Sequence, residues 1–295
     1  MTLKHLYTTP SSRLLLGAFI ISFSGVWVNL ANVSPTSSAF YRVFFGFIFL
    51  FLFSLINGEK YSNKPSYYLL AIVCGTLFVL DLLCWHNSII LIGPGLATLL
   101  GNFQVFILAG VGIILLKERY SYALLFSIPL AIIGLFLIVG DWSNMSSGHK
   151  TGIFLGLATA LFYAAYILTL KKLASSSQAS FSPMMIVSLV SSIVLAFYML
   201  IEGESFAILD IGSGLSLVSL GFFSQFFGWY LIATSLPQLN TAFTGLILLL
   251  QPSLAFIWDV LFFGRPTSLN NWIGVILALI AIYLGITSKR KITPQ

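Results

Sequence analysis

The sequence predicts an all-α integral membrane protein of ten transmembrane helices, arranged as two inverted five-helix repeats. Three observations carry that expectation. Hydrophobic residues make up 58% of the 295, charged residues only 7%, and the mean hydropathy is +1.01. A soluble domain carries about 25% charge, so this chain lacks the side chains to cover a water-facing surface. The apolar residues fall into ten runs near the roughly 20 residues that a spanning helix needs. The basic residues gather on one side of those runs, as membrane topology requires.

Glycine, proline, asparagine and charge punctuate the runs. Residues 14–32 follow Arg13 and close on Asn32; the stretch is longer than a signal-peptide core, so it is read as a retained helix. Residues 35–57 open on Pro35 and stop at Asn57-Gly58, and residues 66–91 lie between Lys64-Pro65 and Gly93-Pro94. The fourth run, 93–116, is closed by Lys117-Glu118-Arg119, and the fifth, 123–139, by Gly140-Asp141. In the second half the runs are 152–172, 183–201, 214–235, 237–263 and 272–288, closed in turn by Lys171-Lys172, Glu202-Gly203, Pro237, Gly264-Arg265 and Lys289-Arg290. Barrel strands would alternate polar and apolar residues, and a run such as 44–55 does not. The joins are too short for a soluble domain.

With the N-terminus inside, eleven of the fourteen Lys and Arg fall on the inner side; Lys150 and Arg265 fall outside, and Arg42 lies within helix two. An added or missing helix would scramble that asymmetry, so both termini are expected in the cytoplasm. The +6 net charge is scattered, with no basic tract except the tail 289–295, and nucleic acid is not an expected partner. Cys74 and Cys84 lie about 15 Å apart along one helix, too far to bridge.

The halves overlay. Gly17–Trp27 matches Gly156–Tyr166, and a shift of 147 residues places Gln104 on Gln251 and Gly134 on Ala281. Five helices per half is an odd number, so the second half must be inverted. Inverted repeats suit alternating access around a shared midplane site. The units are expected at 13–141 and 151–288.

Several local motifs add a resemblance. Ser34-Pro35 precedes Phe40-Tyr41-Arg42; helix four ends in Leu115-Leu116-Lys117-Glu118-Arg119; helix six carries Phe162-Tyr163-Ala164-Ala165-Tyr166 with Lys171-Lys172; and Gln251-Pro252 interrupts helix nine. Residues 81–89 and 97–102 carry a further match. Over residues 13–288 the chain resembles the drug/metabolite transporter superfamily, in its EamA-type branch. Val105 stands where that pattern has its first-half proline, and Arg265 where it has its second-half glutamate, so neither carries the family role. The resemblance implies a cavity lined from helices one, three, four, six, eight and nine, with Trp27, Tyr163, Tyr166, Trp229 and Tyr230 as candidate aromatic contacts.

Ionisable groups inside a bilayer cost at least about 2.5–3.5 kcal/mol and so need a partner, water or a purpose. Four qualify: Arg42, Asp81, His86 and Asp259. Counting rise per residue puts Arg42, Asp81 and Asn102 about 10, 14 and 13 Å below the outer face. Arg42 and Asp81 are therefore read as a structural ion pair or as a substrate-facing charge set in which Arg42 meets a carboxylate, and the two readings are compatible if substrate exchanges with the pair. Asn102, Gln104 and Gln251 are candidate substrate contacts near the midplane; their bland alternatives are interhelical bonding and satisfaction of the Pro252 kink. Asp81 and His86 are the candidate proton-coupling groups.

The function expected is secondary transport, in the export direction, of a small polar or amphipathic metabolite such as an amino acid or amine. The partners are membrane lipid, that small molecule and the proton; no cofactor and no metal is implied. No GxxxxGK[ST] loop is present to bind nucleotide phosphates. The other classes are an intramembrane enzyme and a channel or receptor. The first lacks a HExxH or GxSxG motif, and a lone intramembrane histidine supplies no catalytic cluster. The expected location is a bacterial inner membrane.

Overall fold

The computed structural model describes residues 9–59, 62–115, 117, 122–139, 146–177, 181–264 and 266–287. Asp141, Glu118, Arg119, Arg265 and the basic tail lie outside them. Among the described residues the chain is helical, with no strand.

The helices are α1 (Pro10–Leu30), α2 (Pro35–Ile56), α3 (Pro65–Ile92), α4 (Pro94–Leu115), α5 (Tyr122–Val139), α6 (Ser147–Ser175), α7 (Ser182–Glu202), α8 (Ile211–Gln238), α9 (Thr241–Leu248 with Leu250–Phe263) and α10 (Leu269–Thr287). Eight are long and apolar enough to cross a membrane; α5 and α10 are apolar over shorter stretches, Leu125–Gly134 and Leu269–Ala281. Large apolar side chains such as Phe51, Leu55, Ile56, Phe126 and Phe197 are exposed. An exposed apolar surface of this kind suits lipid and would be unfavourable in water.

Starts and stops follow local chemistry. Proline opens α1, α2, α3 and α4, where its missing N–H would have no partner in any case. Ser34, Ser146, Asp210 and Asn240 accept backbone N–H groups at the starts of α2, α6, α8 and α9. Gly203 (φ 67°) and Gly264 (φ 62°) close α7 and α9 in the left-handed conformation that glycine tolerates. The expected start of helix nine at Pro237 is corrected here. Leu236–Gln238 is a tight last turn of α8, and the Asn240 cap starts α9 instead. Helix six runs about a turn further at each end than the apolar run, because Ser146 caps it before the apolar residues begin.

The packing falls into matched sets. Helices α2 and α7 pack on each other, as do α4 and α9, and α5 and α10. Further, α3 on α6 is matched by α8 on α1, and α2 on α8 by α7 on α3. Glycines permit the closest approaches: a Cβ on Gly17 would lie 2.8 Å from the Gly228 carbonyl oxygen, and one on Gly46 only 2.2 Å from Cγ of Gln225. Two glutamates tie α2 to α7. Glu59, just after α2, accepts from the N–H groups of Phe181 and Ser182 at the start of α7 (2.9–3.0 Å). Glu204, just after α7, accepts from the hydroxyl of Ser34, the N-cap of α2.

Candidate functional site

Three rods are broken. The break in α1 falls at Ser22–Phe23, that in α4 at Asn102–Phe103, and that in α9 at Leu249. Near each, a side chain adds a second hydrogen bond to a carbonyl that already accepts a backbone N–H: Ser22 Oγ donates to Phe19 O (2.6 Å), Asn102 Nδ2 to Thr98 O (2.7 Å) and Ser253 Oγ to Leu249 O (3.0 Å). Pro252 has no N–H to continue the ladder, which accounts for the break in α9. In α8 the backbone passes through a π-helical stretch, Leu220–Gly228, before returning to α-helix at Trp229.

These irregular segments surround a cavity with about 530 Å³ of atom-free space, part of it continuous with solvent. Its walls come from α1, α2, α3, α4, α6, α8 and α9. Of the residues singled out from sequence, Arg42, Asp81, Asn102, Tyr163, Trp229 and Gln251 line it. Tyr163 Oη donates to Gln251 Oε1 (3.5 Å). Three buried polar atoms on the lining have no partner among the described residues: Asn102 Oδ1, Gln251 Nε2 and Trp229 Nε1. A buried donor or acceptor without a partner costs about 1–3 kcal/mol, and a ligand or water that reached it would recover that cost. Arg42 and Asp81 share the cavity, yet no N–O distance between them closes to 4.0 Å. Arg42 instead donates from Nε to Gln225 Oε1 (3.4 Å), with its guanidinium 5.7 Å from the ring centres of Phe78 and Trp85.

The other candidates stand off the lining. Tyr166 is wholly buried beneath it, stacked on Phe78 (4.4 Å) and edge-on to Trp229 (4.8 Å). Gln104 is wholly buried, with both amide atoms unpartnered. His86 is buried against Trp85 (4.9 Å), its ring nitrogens likewise unpartnered. Trp27 stacks over Phe223 (6.4 Å), and Tyr230 stacks on Phe181 (4.4 Å). Sequence reasoning missed Ser22, Ser24, Thr98, Thr159 and the buried Gln225. The signal for Gln225, which stands behind the lining against Arg42, was available: it is an amide in an otherwise largely apolar run. Among the described residues no group of three metal-ligating side chains occurs.

The model of the EamA-like transporter family matches this sequence twice, over residues 12–140 and 150–287. The chain belongs to that family. An uncharacterized transporter of Archaeoglobus fulgidus is 23% identical over 278 residues, covering 93% of this chain and 95% of its own length. The uncharacterized transporter YxxF of Bacillus subtilis is 22% identical, with 96% and 91% covered. A solved structure described only as a crystal structure of a protein superposes with a TM-score of 0.77 at 15% identity, covering 95% of this chain and all of its own. That likeness bears on the fold. Family and relatives together identify a membrane transporter.

Proposed function

We propose that this EamA-like protein is a secondary transporter that moves a small polar or amphipathic metabolite, such as an amino acid or amine, out of the cell by alternating access at the cavity. The observation that carries this reading is the coincidence of three helix breaks with unpartnered polar atoms on one buried cavity. Irregular backbone at membrane depth is tolerated where it lines a water-filled or ligand-filled space, and discontinuous helices are how transporters present polar groups to substrate.

Ten crossings in two inverted units, 13–141 and 151–288, complete the proposal, with both termini in the cytoplasm of a bacterial cell. The matched helix pairs, and the reciprocal capping of α7 by Glu59 and α2 by Glu204, support that arrangement. Each interaction has its counterpart on the opposite end of the bundle when the halves are exchanged. Asp81, on the cavity wall, is the first proposed proton-coupling group, and His86, off the lining, is the second.

Proteoliposomes of the purified chain, tested for uptake of labelled amino acids and amines under an imposed pH gradient, examine the reading. Transport of at least one compound, weakened by Gln251→Ala, is expected. Uptake equal to that of empty vesicles for every compound would overturn it.

A further inference from the structure

Arg42 is the one buried lysine or arginine among the described residues. Placing a guanidinium there is costly, and the usual remedy is a carboxylate partner. Asp81 shares the cavity and its charge favours the cation, but no Arg42 nitrogen lies within 4.0 Å of its carboxylate, so no close ion pair forms. The Arg42 Nε contacts a neutral amide oxygen, that of Gln225, while its Nη atoms have no partner among the described residues and are not sealed from the cavity space. The faces of Phe78 and Trp85 stabilise the cation without neutralising it.

The support behind this contact is specific. Gln225 is wholly buried, and its Nε2 donates to Ser188 Oγ on α7 (2.9 Å). It lies within the π-helical stretch of α8, a rare backbone form that concentrates at functional sites. Gly46 leaves the room its side chain occupies, and a Cβ on Gly221 would lie 2.4 Å from Cβ of Phe45. Two glycines and an irregular turn thus bring an uncharged amide against Arg42. A glutamate at position 225 would hold the guanidinium as well but would cancel its charge.

We infer that Arg42 is a carboxylate subsite of the cavity and that Gln225 is its positioning residue, so that the substrate carries a carboxylate group. This rests on the substrate-cavity reading above. The planar fork of Arg42 accepts a carboxylate bidentately, and the amide fixes its orientation while leaving its charge for the ligand.

The test uses purified full-length protein and three matched pairs of probes: L-alanine with L-alaninamide, L-phenylalanine with L-phenylalaninamide, and 3-phenylpropionate with 3-phenylpropionamide. Binding is read from the thermal midpoint. At least one acid is expected to raise the midpoint while its amide does not. Gln225→Glu should weaken that binding by about ten- to a hundredfold with the unliganded midpoint unchanged or raised. Ser188→Ala, a gentler change that removes the anchor of the amide, should lower the acid-to-amide preference severalfold and serves if Gln225→Glu does not fold. The inference is overturned if the amides bind as well as the acids, if the variants keep the wild-type preference, or if no acid binds at about 10 mM. Uptake of the same compounds into proteoliposomes separates the two readings. Acid binding without uptake removes transport and leaves the subsite; uptake of amides alone leaves transport and removes the subsite.

Discussion

Substituting Glu59 tests the tie between the end of α2 and the start of α7. Its carboxylate receives the backbone N–H groups of Phe181 and Ser182 at 2.9–3.0 Å. Those donors belong to the first turn of α7, where no carbonyl of the helix can reach them. A lost cap costs about 0.5–2 kcal/mol, and the loss of a negative charge beside a helix N-terminus about 0.3–1 kcal/mol more. Glu59→Ala removes both contributions, so its expected cost is about 1–3 kcal/mol. Glu59→Gln loses the charge, about 0.3–1 kcal/mol, and one of the two acceptor oxygens, so its cost should lie between that figure and the alanine cost. At about 2–4 °C per kcal/mol, alanine should lower the Tm of the detergent-purified chain by several degrees and glutamine by less. Because Glu59 is only half-buried, the difference should shrink in high salt. Glu204→Ala should act in the same direction at the opposite end of the bundle. The reasoning is refuted if Glu59→Ala unfolds at the wild-type temperature, or if glutamine and alanine are equally costly.

Three further outcomes are expected from the geometry. Gly17→Ala forces a methyl group to 2.8 Å from the Gly228 carbonyl and 2.9 Å from Ile232; overpacking against backbone costs about 1–3 kcal/mol, to be read as a lower Tm or a shifted ratio of inward to outward states. Asp210, outside the membrane-spanning stretch, has its carboxyl held below the ordinary value of 3.8 by the Ser213 hydroxyl and N–H (2.7 Å each). A lowered folded value means that the cap of α8 is at full strength above pH 3.8 and is lost as pH falls through the lower folded value. Asp210→Asn should therefore flatten the acid limb of a stability–pH curve, and an unchanged limb would assign it to other carboxylates. Asp81→Asn should leave substrate exchange largely intact while abolishing accumulation driven by a pH gradient; a normal pH dependence would remove Asp81 from coupling.

The membrane class and most helix positions were legible because lipid burial imposes a coarse pattern, about 20 apolar residues followed by punctuation. Six of the eleven candidate residues line the cavity, and the reason is again coarse: a polar group within an apolar run needs a cavity or a partner. Periodicity does not encode the finer features. The π-helical turn at Leu220–Gly228 rotates the remainder of α8, so a face read at 100° per residue misplaces Gln225. Arg42 and Asp81 match in depth and charge, yet Gln225, on a helix distant in sequence, takes the Arg42 contact. Glu59 and Glu204 read as ordinary loop charges until the fold brings each to the start of another helix.

The most direct test of alternating access at this cavity is the accessibility of one lining position from each side of the membrane. Thr98, on α4 beside Trp85, is partly open to the cavity. In a chain with Cys74 and Cys84 replaced by serine, Thr98→Cys should react with a membrane-impermeant thiol reagent from the outer face of oriented vesicles and, separately, from the inner face. Addition of a transported substrate should slow both reactions. Labelling from one face only, at every pH and with or without substrate, would contradict alternating access at this cavity.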